Sequence, residues 1–459
     1  MEKLNFASFA ELLKNPDKSD HSNLIFEFDH SSEISFAEIS TENTFKNCSF
    51  TGQGFDIIGK NQNENKRTLQ FLKCEILIKE ITISEGIFQD FIISDSNFTG
   101  SLTFDWCYFA NCKFQEVQEG VKSIKIKNSD FQNIKIKNLV AEKLFVIAST
   151  IRSSGEVKNC KIQDVDFSGS SLSSFYFRNN EVFGYANFEL ITGKSTSLEI
   201  SNSLFHKQVN FETQPIKIIY LNQTHFFDIV SFQNAVLKRI WINKVLFEKA
   251  VFFEGIELTD IMNCNIKSIR TIKQQLVLTN NNLDYLRFRK IEKELYRLQT
   301  RELLFNKDYH FHYEKYRDTR CFSREGEHYS YYIEKNDVPK INRFELLGDY
   351  ITLSMHKTIS NYSTDWKRAI GVTILCGFIL YTVFYYTVNY SNDILIDIDT
   401  VNDFFNGLPR FFLVTDFKNP LEKNEYYINA ISWIPLLIGK IFIAFGIYET
   451  IQSFRKFKG

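Results

Sequence analysis

Large apolar residues recur at every fifth position through much of the first 285 residues. Phe45, Phe50 and Phe55 keep this spacing, as do Phe104, Phe109 and Phe114, and Ile162, Phe167, Leu172 and Phe177. The longest run is Phe227, Phe232, Leu237, Ile242, Phe247 and Phe252. A helix repeats every 3.6 residues and a strand every two, so neither carries a period of five through six members. A square coil with one inward residue per side does, provided its tight corners hold small residues. Cys48, Ser49, Ala110, Asn111, Cys112, Ser168, Ala235 and Ala250 stand near those positions. The composition agrees: 46 of 459 residues are Phe, against 19 Gly and 6 Pro, as expected when one rigid aromatic fills a repeated position.

The stretch resembles a pentapeptide-repeat right-handed β-helix, in which the central residue of each pentad is Leu or Phe. The resemblance covers roughly residues 34–285 and implies a solenoid that buries an aromatic ladder and presents broad polar faces. Its breaks (IKEITISEGIFQDFIIS, KSIKIKNSDFQNIKIKN) alternate apolar and polar residues at period two, like ordinary strands, so some coils should be wider or irregular. The expected class is mainly β. An N-terminal cap (1–33) precedes the β-helix (34–285), an amphipathic helical connector (286–367) follows, and a two-span transmembrane pore module (368–459) ends the chain. The eight cysteines form no CxxC pair and no Cys/His ligand spacing, so no metal site is expected and they read as small buried fillers. The N-terminus, MEKLNFASFAELLKNPDKSD, lacks a secretory pattern, which places the bulk of the chain in a reducing cytoplasm.

In the connector the charge balance shifts. Residues 286–367 hold 16 basic and 13 acidic residues, against 30 and 34 in residues 1–285. Ile291, Leu295, Leu298, Phe305 and Phe311 mark amphipathic helix. Lys293–Arg297 and Arg297–Arg301 are like-charged i,i+4 neighbours, which calls for an anionic neighbour or ligand. Arg287, Arg289, Lys290, Lys293, Arg297 and Arg301, followed by His310, His312, Tyr313, Tyr316, Arg317 and Arg320, combine cations with aromatics. Those are the ingredients of single-strand nucleotide recognition, so these residues are the candidate ligand site. Lys122, Lys125, Lys127, Lys135, Lys137 and Lys143 form a second expected basic strip, on one outward strand face.

Ala369 to Tyr390 is 22 residues without a charge, enough to cross ~30 Å of hydrocarbon. A second run, Tyr426 to Tyr448, has the right length but carries Lys440. Lys367 and Arg368 precede the first run and Arg455, Lys456 and Lys458 follow the second, while the loop 391–425 has seven acidic and three basic residues. The positive-inside rule then puts both termini in the cytoplasm of a bacterial inner membrane. An ammonium at membrane depth costs ~2.5–3.5 kcal/mol on insertion scales, so Lys440 should face a bundle interior or cavity, or else snorkel to the interface. In the loop, Phe404, Phe405, Leu408, Phe411 and Phe412 lie at helical spacing. Lys440, Phe404, Phe405, Phe411 and Phe412 are therefore the candidate pore-lining or gating residues. No TVGYG-like filter supports a selective potassium pore.

Enzyme motifs fail: TGKS at 192–195 has Phe188 where a P-loop needs Gly, and no GxSxG or HExxH stands out. No enzyme activity and no cofactor are expected. A cytoplasmic sensor fused to a minimal pore resembles the membrane effectors of antiphage defence. The plan is similar to the channel subunit of the nucleotide-controlled Hailong system, whose channel is held closed by oligodeoxyadenylate. That resemblance implies a ligand-gated channel, assembled as a homotetramer in the bilayer and controlled by an oligonucleotide from a partner nucleotidyltransferase. The alternative is a membrane-tethered β-helix scaffold for a partner protein, without conductance. A DNA-mimic solenoid would need strong acidity, and residues 1–285 sum to only −4 (30 minus 34).

Overall fold

The computed structural model describes residues 3–16, 19–28, 32–58, 66–117, 120–190, 197–212, 216–260, 263–305, 342–391, 398–421, 428 and 430–455. The chain divides into two compact units at Tyr285/Leu286.

The first unit is a parallel β-solenoid of about 11 turns. Its strands form an 18-stranded and a 12-stranded sheet in which each strand pairs in parallel with its counterpart on the next coil. Phe109 pairs with Phe131 and Phe131 with Ile151, so one coil takes 22 residues and the next 20. Rings stack along the axis. Phe88, Phe109 and Phe131 are near-parallel at 5.1 and 4.9 Å, and Phe188, Phe211, Phe232 and Phe253 follow at 5.2, 4.7 and 4.9 Å. Strands of seven to ten residues dominate the middle coils, and pairs of two-residue strands mark the later, squarer ones.

The corners explain the cysteines. Asn47, Lys73, Trp106 and Asn159 turn the chain with left-handed backbone, and each is followed by an inward cysteine (Cys48, Cys74, Cys107, Cys160). Asn128 and Ala148 do the same ahead of Ser129 and Ser149. The Cys107 amide donates to Ser129 Oγ at 3.1 Å, the Ser129 amide to Ser149 Oγ at 3.2 Å and the Ser149 amide to Ser170 Oγ at 3.1 Å. A small side chain with an acceptor thus satisfies the backbone of the coil before it. Burial pushes the Cys107 and Cys160 thiols up to about 12, which keeps them neutral. At Gly52, with φ +118°, a Cβ would stand 2.0 Å from Phe28 O, so stacked coils leave room only for glycine there.

Three expectations need correction. In the run from Phe227 to Phe252 the end members do not point inward: Phe226 and Phe253 are the buried residues, and Phe227 stacks outside on His206 at 4.8 Å. A slip of one residue exchanges the two faces of a strand, and adjacent aromatics hide that slip from a count of five. The lysine strip also divides. Lys125 and Lys127 lie on a strand of the 18-stranded sheet, whereas Lys135 and Lys137 lie on the 12-stranded one, because the corner at Asn128 turns the chain between them. Finally, strand pairing starts ahead of residue 34, with Lys3–Leu4 beside Ile25–Phe26, and the last strand among the described residues is Glu257–Leu258.

Helices close both ends of the coil. α1 (Phe6–Lys14) is capped by Asn5 and drives Phe9 among Phe26, Phe28, Phe45, Phe50 and Phe55 at 5.1–5.9 Å. α2 (Ile266–Leu278), capped by Asn265, buries Ile269, Ile272 and Leu276.

α3 (Asn282–Phe305) carries the chain into the second unit. There follow α4 (Arg343–Ser360), α5 (Trp366–Ser391), α6 (Ile398–Phe412) and α7 (Ala430–Arg455). Two helices, Trp366–Tyr390 and Ala430–Phe454, are long and apolar enough to cross a membrane. At 1.5 Å per residue each is about 37 Å long. α5 and α7 pack closely because Gly446 faces Thr373, where an added Cβ would stand 2.0 Å from Oγ1. α6 packs against them in a core of Tyr381, Phe384, Val388, Phe411, Leu436 and Ile443.

Candidate functional site

The chemistry of the second unit is concentrated where α6 meets α7 and in the turn between α4 and α5. The last carbonyls of a helix have no partner within it. At the end of α6, Lys440 Nζ of α7 donates to Arg410 O at 3.0 Å and Leu413 O at 2.6 Å, and it lies 5.7 Å from the centre of the Phe411 ring. Its charge is thereby set against the negative end of a helix dipole, and the residue is 1% exposed. Phe411 is buried between Tyr381 and Phe384. Phe404 packs on Tyr381 at 4.9 Å, and its carbonyl accepts a 2.7 Å bond from the Tyr381 hydroxyl. Phe412 packs half-buried against the same core, whereas Phe405 is exposed. Of the five candidate gating residues, four thus belong to one packed cluster around α6.

The second feature is the turn after α4. Asn361, Tyr362 and Ser363 are consecutive non-glycine residues with φ of 50°, 66° and 63°. Left-handed backbone costs about 1–2 kcal/mol for an L-residue with a Cβ, less for Asn, so three in succession persist only where neighbours hold them. Two carboxylates do so. From α3, Glu294 accepts hydrogen bonds from the Tyr362 hydroxyl, from Lys357 Nζ at 2.6 Å, and from Arg297 Nη2 at 2.9 Å and Nε at 3.2 Å. From α7, Glu449 accepts from the Ser360 hydroxyl and from Ser363 Oγ at 2.9 Å, while His356 Nδ1 lies 2.7 Å from its other oxygen. Glu449 is fully buried. Arg368, at the start of α5, adds a 2.9 Å bond from Nε to Thr358 O.

Burial on its own would raise the Glu294 carboxyl, but the hydrogen bonds from Arg297, Lys357 and Tyr362 outweigh it and hold the group down at about 2. A carboxyl depressed in the fold contributes stability that is complete above its ordinary value of 4.5 and is lost as pH falls through about 2. Glu294→Gln is therefore expected to flatten the fall in thermal midpoint between pH 4.5 and 2, measured on the purified chain in detergent. Parallel profiles for variant and wild type would refute this linkage.

The anionic neighbour that the like-charged helical pairs called for is internal: Arg297 is committed to Glu294. On α3, Arg289, Lys290 and Lys293 are half-buried, and Arg287 and Arg301 are exposed. His310, His312, Tyr313, Tyr316, Arg317 and Arg320 lie outside the described residues. Glu449, His356, Ser360 and Ser363 were not singled out from sequence. The one available signal was the single carboxylate of the largely apolar α7, and its partners stand 86 to 93 residues earlier in the chain (449 minus 363, 449 minus 356). Among the described residues no group of three or more His, Cys, Asp or Glu has the geometry to hold a metal ion. No protein-family model, no curated protein and no solved structure matches the chain.

Proposed function

We propose that the chain is the subunit of a signal-gated membrane pore, a membrane effector of the antiphage-defence kind. The observation that carries this reading is α6: an amphipathic helix with a Phe-rich face, packed across two apolar helices and fixed at its end by the buried Lys440. A tether requires neither an inserted third helix nor a lysine at that depth. Ile374, Leu375, Phe378 and Ile379 on α5 and Ile434, Leu437, Ile438 and Ile441 on α7 are exposed, a surface too apolar for water. Lipid and further copies of the chain cover it in this reading, with a homotetramer around the pore. Both termini and the solenoid face the cytoplasm of a bacterial cell. An oligonucleotide made by a partner nucleotidyltransferase binds the cations of α3, as the plan shared with the Hailong channel implies.

Flux from liposomes tests this. The purified chain is expected to dissipate a potassium diffusion potential, and oligodeoxyadenylate is expected to change the rate. Arg289→Glu with Arg301→Glu, which spares the Arg297–Glu294 pair, should weaken oligonucleotide binding about tenfold at low salt. Intact potentials under all conditions would favour the non-conducting scaffold.

A further inference from the structure

We propose that the Asn361–Ser363 turn is a catch between α4 and α5, closed by Glu449 and released when that carboxylate withdraws. It rests on the gated-pore reading and names the step that would regulate it. Two facts carry it. The turn holds three consecutive left-handed residues, and beside its local bonds, such as the Ser363 amide to Ser360 Oγ at 2.7 Å and the Tyr362 amide to His356 O at 3.0 Å, it is tied by side chains of α3 and α7. The two holds also differ in kind. Glu294 is matched by two cations, Arg297 and Lys357. Glu449 is fully buried, and the groups that face it are two hydroxyls and the His356 imidazole. Hydroxyls bring no charge, and a buried carboxylate regains its full solvation on leaving. The Glu449 side is therefore the one that opens first, while Glu294 keeps Tyr362 and Lys357 attached to α3. Once Ser360 and Ser363 lose Glu449 and keep only their local bonds, the backbone returns to commoner dihedrals and the direction of α5 relative to α4 changes. A pull on α3 then reaches the first apolar helix through a two-state element.

The test uses the full-length protein in detergent and in liposomes, with spin labels at exposed Thr358 of α4 and Lys367 of α5. Glu449→Gln keeps the side-chain shape and removes the charge-assisted bonds. It is expected to enrich a second label-to-label distance about tenfold, the change that losing one hydrogen bond to a charged group produces. Ser363→Ala, a milder variant that keeps Glu449, should shift the same distribution in the same direction. A lowered thermal midpoint with an unchanged distance distribution in both variants would overturn the catch and leave Glu449 a purely structural contact. The readout is independent of conductance: a distance shift without current removes the pore and keeps the catch, and altered current without a shift does the reverse.

Discussion

Lys440→Met is expected to detach α6 while α5 and α7 stay paired. The substitution keeps most of the apolar stem and removes the ammonium, so Arg410 O and Leu413 O each lose a charged donor and keep only the backbone amides of Leu413 and Asp416 at 3.1 Å. Each hydrogen bond from a charged donor contributes about 1.5–3 kcal/mol. In the proposed bilayer setting, removing the charge returns about 2.5–3.5 kcal/mol, but that gain belongs to insertion of the whole helix and leaves α6 undocked. Overall stability should therefore change little, whereas local opening of α6 becomes easier by at least about 2 kcal/mol, or roughly 30-fold. Hydrogen exchange of the amides of residues 404–408 and 410–413 should accelerate by that factor, with the amides of α5 and α7 unaffected. Equal protection in the two proteins would mean that the lysine does not hold α6.

Phe109→Ala should be the most damaging single change in the solenoid. Its ring is fully buried between Phe88 and Phe131, with the edges of Phe91 at 6.1 Å and Phe104 at 4.9 Å. Truncating a buried Phe in a stack that cannot collapse costs about 3–5 kcal/mol. Because each coil contacts only its neighbours, loss of hydrogen-exchange protection should centre on the coils around residues 88–131. Phe227→Ala, at the head of another five-residue run but on the outside of the coil, should cost about 1 kcal/mol or less. Comparable losses for both would contradict the register of the later coils.

The coil itself was legible because a stacked ladder repeats one side-chain type at one spacing, and the three shorter runs all point inward. The phase of the last run was not. His225, Phe226 and Phe227 are consecutive, and it is pairing with Leu204–Phe205 on one side and Leu246–Phe247 on the other that decides that Phe226 is the buried one. The lysines failed for a related reason: period-two patterns on successive strands look alike, and a corner between them sends each to a different sheet. In the second unit, the cost of the Lys440 charge left an interior position and snorkelling both open, and what decides between them is a set of acceptors at the end of α6, a helix whose docking no local pattern encodes. Glu449 carried still less signal. A lone carboxylate near the end of an apolar helix resembles an interfacial charge until the Ser360–Ser363 turn is placed beside it.

Gated conduction is tested most directly by planar-bilayer recording of the purified full-length chain, with and without oligodeoxyadenylate, beside Glu449→Gln. Discrete conductance steps whose open fraction depends on the oligonucleotide, and shifts in the variant, are the expected result. A silent bilayer for both proteins in every condition, with the chain shown to be inserted, would contradict the pore and leave a membrane-bound scaffold.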